Sequence, residues 1–121
     1  KAFMINTLIV VGNIGKPPKF STDDSGKATT RFSIAITQHG KYKNRPIWLQ
    51  CTANGPVANF IRDNIGSGEK VTLHGSLMHT DTDSGGFHWM YVKDVENHQW
   101  KQAKEQLQSH QYNKENVFGD K

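Results

Sequence analysis

Three features of the sequence predict an all-β barrel built around one short helix. Several runs alternate apolar and polar residues with a period of two. Clusters rich in Gly, Pro, Asp and Ser separate those runs. One stretch, 56–66, instead carries its apolar residues at helical spacing. The order is therefore strand, strand, strand, helix, strand, strand. This is the order of an OB-fold, a five-stranded Greek-key barrel with its helix between the third and fourth strands. A chain of 121 residues suits a single domain. We place that domain at 4–97 and a polar tail at 98–121.

The first strand is expected over 4–14 (MINTLIVVGNI), which is β-branched and apolar, reads as buried and is followed by Gly15 and Pro17-Pro18. After the turn cluster 21–27 (STDDSGK), the run 28–37 (ATTRFSIAIT) puts Phe32, Ile34 and Ile36 on one face and Arg31, Ser33, Ala35 and Thr37 on the other. A polar, basic hairpin tip follows at 38–45 (QHGKYKNR). In 46–54 (PIWLQCTAN), Ile47, Leu49, Cys51 and Ala53 share one face, and Trp48, Gln50, Thr52 and Asn54 share the other. The helix opens at Pro56, which suits a first turn, and Gly66 is the expected C-terminal cap. Alternation resumes through Val71, Leu73, Gly75 and Leu77 in 70–78. A second tip, 80–86 (TDTDSGG), leads to the aromatic last strand 87–95. In the tail, Trp100, Ala103 and Leu107 are spaced for a short amphipathic turn against the barrel or a partner subunit. Met4 reads as the natural start, with Lys1, Ala2 and Phe3 as an extension.

Charge is distributed unevenly. Residues 1–60 carry eight Lys or Arg against two Asp, whereas residues 61–121 carry seven basic and nine acidic groups. A basic half is suited to a polyanion. No run approaches the roughly 20 apolar residues of a membrane span, and no charged-then-apolar leader precedes Met4, so secretion is not indicated and a cytoplasmic location is expected. A lone cysteine, Cys51, allows no intrachain disulfide and reads as a small buried hydrophobe.

Catalytic parts are missing from the pattern. None of the pairs Gly15-Lys16, Gly26-Lys27 and Gly40-Lys41 is followed by Ser or Thr, so there is no P-loop. The string Asp81–Gly86 resembles the start of a calcium loop, but the twelfth position is Val92, which cannot coordinate. Six histidines with one cysteine show no zinc spacing, and no carboxylate pair is placed for acid–base work. We expect no catalysis, cofactor or metal. What the pattern does contain is aromatics interleaved with cations. Lys41, Tyr42, Lys43 and Arg45 sit on one hairpin tip, and Trp48 follows on the polar face of the next strand, where burial does not explain it. Trp89, Tyr91 and Lys93 share a face by period two, and Arg31 lies on the polar face of the second strand. Lys16, just before the paired prolines, is a further candidate cation. Flat rings beside positive charges suit unpaired nucleobases and their phosphates.

MINTLIVVGNIGKPP (4–18) closely resembles the opening of bacterial single-stranded DNA-binding proteins, with their Val-Gly-Asn/Arg-x-x-x-x-Pro pattern. The similarity continues through DSGKATTRFSIAIT (24–37), the tryptophan strand ending at Gly55, the helix, and GEKVTLHGSL (68–77), covering roughly residues 4–96. The resemblance implies an OB-fold and binding of single-stranded DNA in replication, recombination and repair. It also implies assembly as a homotetramer or homodimer, base stacking by Trp48 and an aromatic role at Trp89. This chain departs from the family in several places. Asn54 stands where the family has an aromatic, Pro56 where it often has a lysine, and the tip around Thr82 is acidic through Asp81 and Asp83. The family's acidic C-terminal tip is absent from the final residues Val117–Lys121. A shortened chain, a plasmid or phage relative, and a primosomal replication-restart adaptor that meets other proteins and uses DNA only secondarily would each account for these differences.

Overall fold

The computed structural model describes residues 4–98. The tail positions Trp100, Ala103 and Leu107, and residues 1–3, lie outside the described residues. Six strands and one helix follow in order: β1 (Leu8–Ile14), β2 (Lys19–Thr22), β3 (Ala28–Ile36), β4 (Ile47–Asn54), α1 (Gly55–Asn64), β5 (Lys70–Thr80) and β6 (Phe87–Asn97). A single turn of 3-10 helix, Gly40–Tyr42, lies between β3 and β4.

Five of the strands close into a ring. β1 pairs with β3 and with β5, β3 with β4, β4 with β6, and β6 with β5. Every pairing is antiparallel except β4–β6, which is parallel. This ring, with its helix between β4 and β5, is the OB-fold arrangement. The sixth strand, β2, is an addition to the sequence-based expectation. It pairs only with β3, placing Lys19 opposite Arg31 and Phe20 opposite Thr30.

The alternation works as expected. β3 buries Ala28, Thr30, Phe32 and Ile34, β4 buries Cys51 and Ala53, β5 buries Val71 and Leu73, and β6 buries Met90 and Val92. Ile47, at the end of the β3–β4 pairing, and Leu77, past the last β1–β5 pair at Gly75, fall on the expected faces but remain exposed. Helix α1 plugs one end of the barrel with Ala58 and Ile61. The Thr30 hydroxyl, buried beneath it, donates to the Ala58 carbonyl at 2.9 Å, which meets the requirement that a buried polar group find a partner.

Several boundaries differ from expectation: the helix opens one residue early at Gly55, and β5 and β6 each run two residues further, to Thr80 and Asn97. β1 begins at Leu8 rather than Met4. In the preceding segment, Asn6 mimics a strand with its side chain: its amide nitrogen donates to the Leu77 carbonyl and its oxygen accepts from the Leu77 N–H, both at 2.8 Å. The helix ends at Asn64, and its cap is Ile65 in extended conformation (φ −125°), not Gly66. Burying the Ile65 side chain in the core turns the chain inward without a left-handed glycine.

The barrel closes where backbones meet without side chains between them. A Cβ at Gly75 would fall on the Tyr91 carbonyl oxygen, and one at Gly12 on that of Ala35 and within 2.8 Å of Ile34 Cγ1. Gly75 also adjoins an irregularity in β6. His74 pairs with Asp94 but Gly75 pairs with Val92, so Lys93 is the extra residue of a β-bulge. The inward positions accordingly switch from Met90 and Val92 to Val95 and Asn97. Gly75→Ala should destabilise the fold by about 1–3 kcal/mol, the usual cost of overpacking, measured as a lowered urea midpoint.

Candidate nucleic-acid interface

The ladder registers order the outward side chains of β3, β4 and β6 into rows. One row runs from Lys19 through Arg31, Thr52 and Tyr91 to Ser76. The next runs through Ser33, Gln50, Trp89 and Met78. Beyond it, Ala35 opposes Trp48 and Thr80 opposes Phe87. Period two thus puts Trp48, Phe87, Trp89 and Tyr91 on one outer face, while Cys51 and Met90 point into the barrel.

Two adjoining cavities lie on this face. The larger, about 810 Å³, is lined by Lys16, Lys19, Arg31, Ser33, Trp48 and Gln50, among others. The second, about 360 Å³, is lined by Arg31, Gln50, Thr52, Thr80, Phe87 and Trp89, with Cys51 beneath. Arg31 and Gln50 border both, so the two form one groove across β4. Neither is lined by an acidic residue, and among the described residues Lys16, Lys19 and Arg31 are held in no ion pair.

Local structure sets the ends of the groove. Trp48 is 57% exposed, and its ring leans over Gly15, where a Cβ would come within 2.9 Å of ring atom Cζ3. The Gly15 loop is fixed by its N–H to the Ser33 carbonyl at 2.9 Å and by a hydrogen bond from the Ser67 hydroxyl to the Gly15 carbonyl. At the other end, the Trp89 indole N–H donates to Thr80 Oγ1 at 2.9 Å.

Of the residues expected from sequence, the groove gathers Lys16, Arg31, Trp48 and Trp89. Tyr91 occupies the adjoining outward row beside Thr52. Lys41, Tyr42, Lys43 and Arg45 are exposed on the β3–β4 connection leading to Trp48, with the Lys41 ammonium 5.2 Å from the Tyr42 ring centroid. They line neither cavity. Lys93 is exposed at the bulge, so the alternation counted from Trp89 ends at Tyr91. Sequence reading left out Lys19, Gln50, Thr80 and Phe87. Phe87 carried a readable signal, since it is two residues before Trp89 in an alternating run, whereas Lys19 depends on recognising β2.

Other charged groups are structural. The Asp23 carboxylate accepts from the Ser25 hydroxyl at 2.7 Å and the Lys27 N–H at 2.8 Å. These bonds close the β2–β3 turn and hold its pKa below the ordinary value. Arg62 pairs with Asp63 at 2.7 Å and lies over the Phe20 ring at 4.5 Å, outside the groove. No group of three or more His, Cys, Asp or Glu among the described residues could hold a metal ion. No described helix is long and apolar enough to cross a membrane.

A closed OB barrel with an aromatic, basic groove on its outer face defines a binding module. The chain belongs to the single-strand binding protein family, whose model matches residues 5–87. It is similar to the single-stranded DNA-binding protein of Fusobacterium nucleatum, with 32% identity over 87 residues, covering 68% of this chain and 56% of that protein. It is also similar to those of Bacteroides thetaiotaomicron (26% identity, 60% of this chain and 50% of that one) and Borreliella burgdorferi (29%, with 60% and 52%). The chain thus spans about half the length of the curated relatives it matches.

Cys51 offers a check on the floor of the groove. It is 2% exposed, and burial pushes its thiol pKa up to about 12. At pH 8 the folded protein should resist iodoacetamide and react only once unfolded. The sign of the pH dependence follows from the raised value. The stabilising contribution is fully present below the unfolded thiol's pKa near 9 and is lost as pH rises towards 12. Wild type should therefore lose stability relative to Cys51→Ala over that window, read from urea midpoints.

Proposed function

We propose that this protein binds single-stranded DNA without strong sequence preference and acts by binding rather than catalysis. Bases stack on Trp48 and Trp89, and Lys16, Lys19 and Arg31 neutralise the backbone between them. The observation that carries this reading is Trp48. It is a large ring left 57% exposed on a rigid strand, facing three cations and no carboxylate across an open groove. Sequence tolerance follows because every base presents a π-face to an aromatic platform. Tyr42 with Lys41, Lys43 and Arg45 would extend the path along the β3–β4 connection, and Tyr91 and Lys93 along β6. The cellular setting consistent with this activity is DNA replication, recombination or repair on the cytoplasmic nucleoid.

Self-association as a homotetramer or homodimer is part of the proposal. It is supported by Ile9 and Val11, exposed side by side on the outward face of β1. A replication-restart adaptor is the second reading, favoured by the acidic exposed tip at Asp81 and Asp83. It expects affinity for a partner protein to exceed affinity for DNA.

Titration with oligo-dT at low salt should quench tryptophan fluorescence, and Trp48→Ala should weaken binding by about 1–3 kcal/mol. An unquenched signal in the wild type would overturn the proposal. Affinity should also fall with salt. Three cations on phosphates predict a slope of log K against log salt near −2, at about −0.7 each. Arg31→Ala should reduce that slope by about 0.7, measured by anisotropy titrations across a salt series.

A further inference from the structure

The second cavity contains more than the Trp89 ring. Phe87 is two residues upstream on β6, outward on the same face and 47% exposed. Its position is tightly set. Thr80 on β5 lies directly opposite Phe87, and Trp89 is the diagonal neighbour of Thr80, close enough for the indole N–H to reach its hydroxyl at 2.9 Å. The tip between the strands is rigid for local reasons. Gly86 has a φ of 94° and no room for a side chain, because a Cβ would meet the Thr80 carbonyl and come 2.9 Å from His79 Nε2. The Thr82 side chain accepts from the Gly86 N–H at 3.0 Å and the Thr82 carbonyl from the Gly85 N–H at 3.0 Å. On the reverse face of the hairpin, the rings of His79 and His88 lie 4.7 Å apart.

These constraints aim two aromatic rings at one cavity and lock one of them with a hydrogen bond that core packing does not need. Trp89 is only partly buried, and water could satisfy its N–H. We propose that Phe87 is a stacking platform that forms, with Trp89, a second base-binding station, and that Thr80 is the positioning residue that holds the Trp89 ring for it. The occupant is an unpaired nucleobase of a DNA strand whose neighbouring base rests on Trp48. Arg31 and Gln50, which border both cavities, lie where the linking backbone crosses. The inference rests on the proposed DNA binding and specifies where the strand goes after Trp48.

The test is anisotropy of labelled oligo-dT titrated with the intact protein and its variants, with thermal melts as the fold control. Phe87→Leu keeps an apolar side chain but removes the ring, and should raise Kd about fivefold or more. Phe87→Tyr should recover most of that loss. Thr80→Val, nearly isosteric without the hydroxyl, should raise Kd about three- to tenfold. Thr80→Ser should restore most of the affinity. Because Thr80 acts through Trp89, Thr80→Val combined with Trp89→Ala should bind no more weakly than Trp89→Ala alone. If Trp48→Ala weakens binding while Phe87→Leu and Thr80→Val stay within twofold of wild type, the second station is overturned and the DNA-binding reading stands. Full additivity in the double variant would overturn the positioning role of Thr80. Failure of the wild type to bind oligo-dT would instead sink the reading on which the inference rests.

Discussion

Close contact between bare backbones at two glycines is the constraint on which the rest of the molecule depends. Gly12 lies against the Ala35 carbonyl and Gly75 against that of Tyr91, with no space for a Cβ at either position. A barrel of five short strands must bend sharply to close, and it can do so only where strands approach more tightly than side chains allow. Closure then fixes every ladder register, and register decides which side of the wall each residue faces. Slipping β4 by one residue would bury Trp48 and expose Cys51. The outward position of the tryptophan is therefore a consequence of the closed ring, not of any preference of its own.

Closure also accounts for the contrast between a tightly satisfied interior and an open groove. Inside, no buried side-chain nitrogen or oxygen among the described residues lacks a hydrogen-bond partner. Asn97 donates to the Asn64 carbonyl at 2.9 Å and to Glu69 at 3.1 Å, tying the end of β6 to the end of α1. On the groove side, Lys16, Lys19 and Arg31 border the cavities without a carboxylate among their linings. Such an arrangement accumulates positive potential that a folded protein does not need for its own stability. It becomes favourable only when a polyanion replaces the missing counter-charges and releases its own condensed ions.

Local pattern made much of this legible. Period two in 28–37 and 46–54 separated Arg31 from Phe32 and Trp48 from Cys51, and both separations hold in the barrel. The helix was readable because Ala58 and Ile61 keep helical spacing behind Pro56. The features that escaped depend on contacts distant in sequence. β2 is only four residues long and follows two prolines, so its pairing with β3 has no periodic signature. The bulge at Lys93 lies where the backbones of Gly75 and Tyr91 approach closely, a meeting of two strands that alternation within β6 cannot reveal. Gly66 looked like a helix cap because glycine commonly is one, but the core's demand for Ile65 ended the helix first. Adjacency in sequence groups the hairpin-tip cations with Trp48, but they line neither cavity. The groove takes in Lys16, which the sequence also offers, and adds Lys19 from the far side of β3 through β2.

That last difference bears on how such a groove can change while its fold persists. The positions that close the barrel, Gly12 and Gly75 among them, tolerate no side chain, whereas an outward residue on β4 or β6 faces only its row neighbours and solvent. Asn54 illustrates the point. On the outward face, where the resemblance leads one to expect an aromatic, its side chain accepts a hydrogen bond from the Thr29 hydroxyl at 3.0 Å and serves the sheet. Thr82 does the same at the hairpin tip, where it caps Gly86. Both positions serve the sheet and its turn, while Phe87 and Trp89 present rings elsewhere on the same wall. Stacking requires a flat face held near a cation, but it does not require a particular strand. A closed barrel offers many equivalent outward positions, so aromatic platforms can be redistributed among them without disturbing the core that holds them in place.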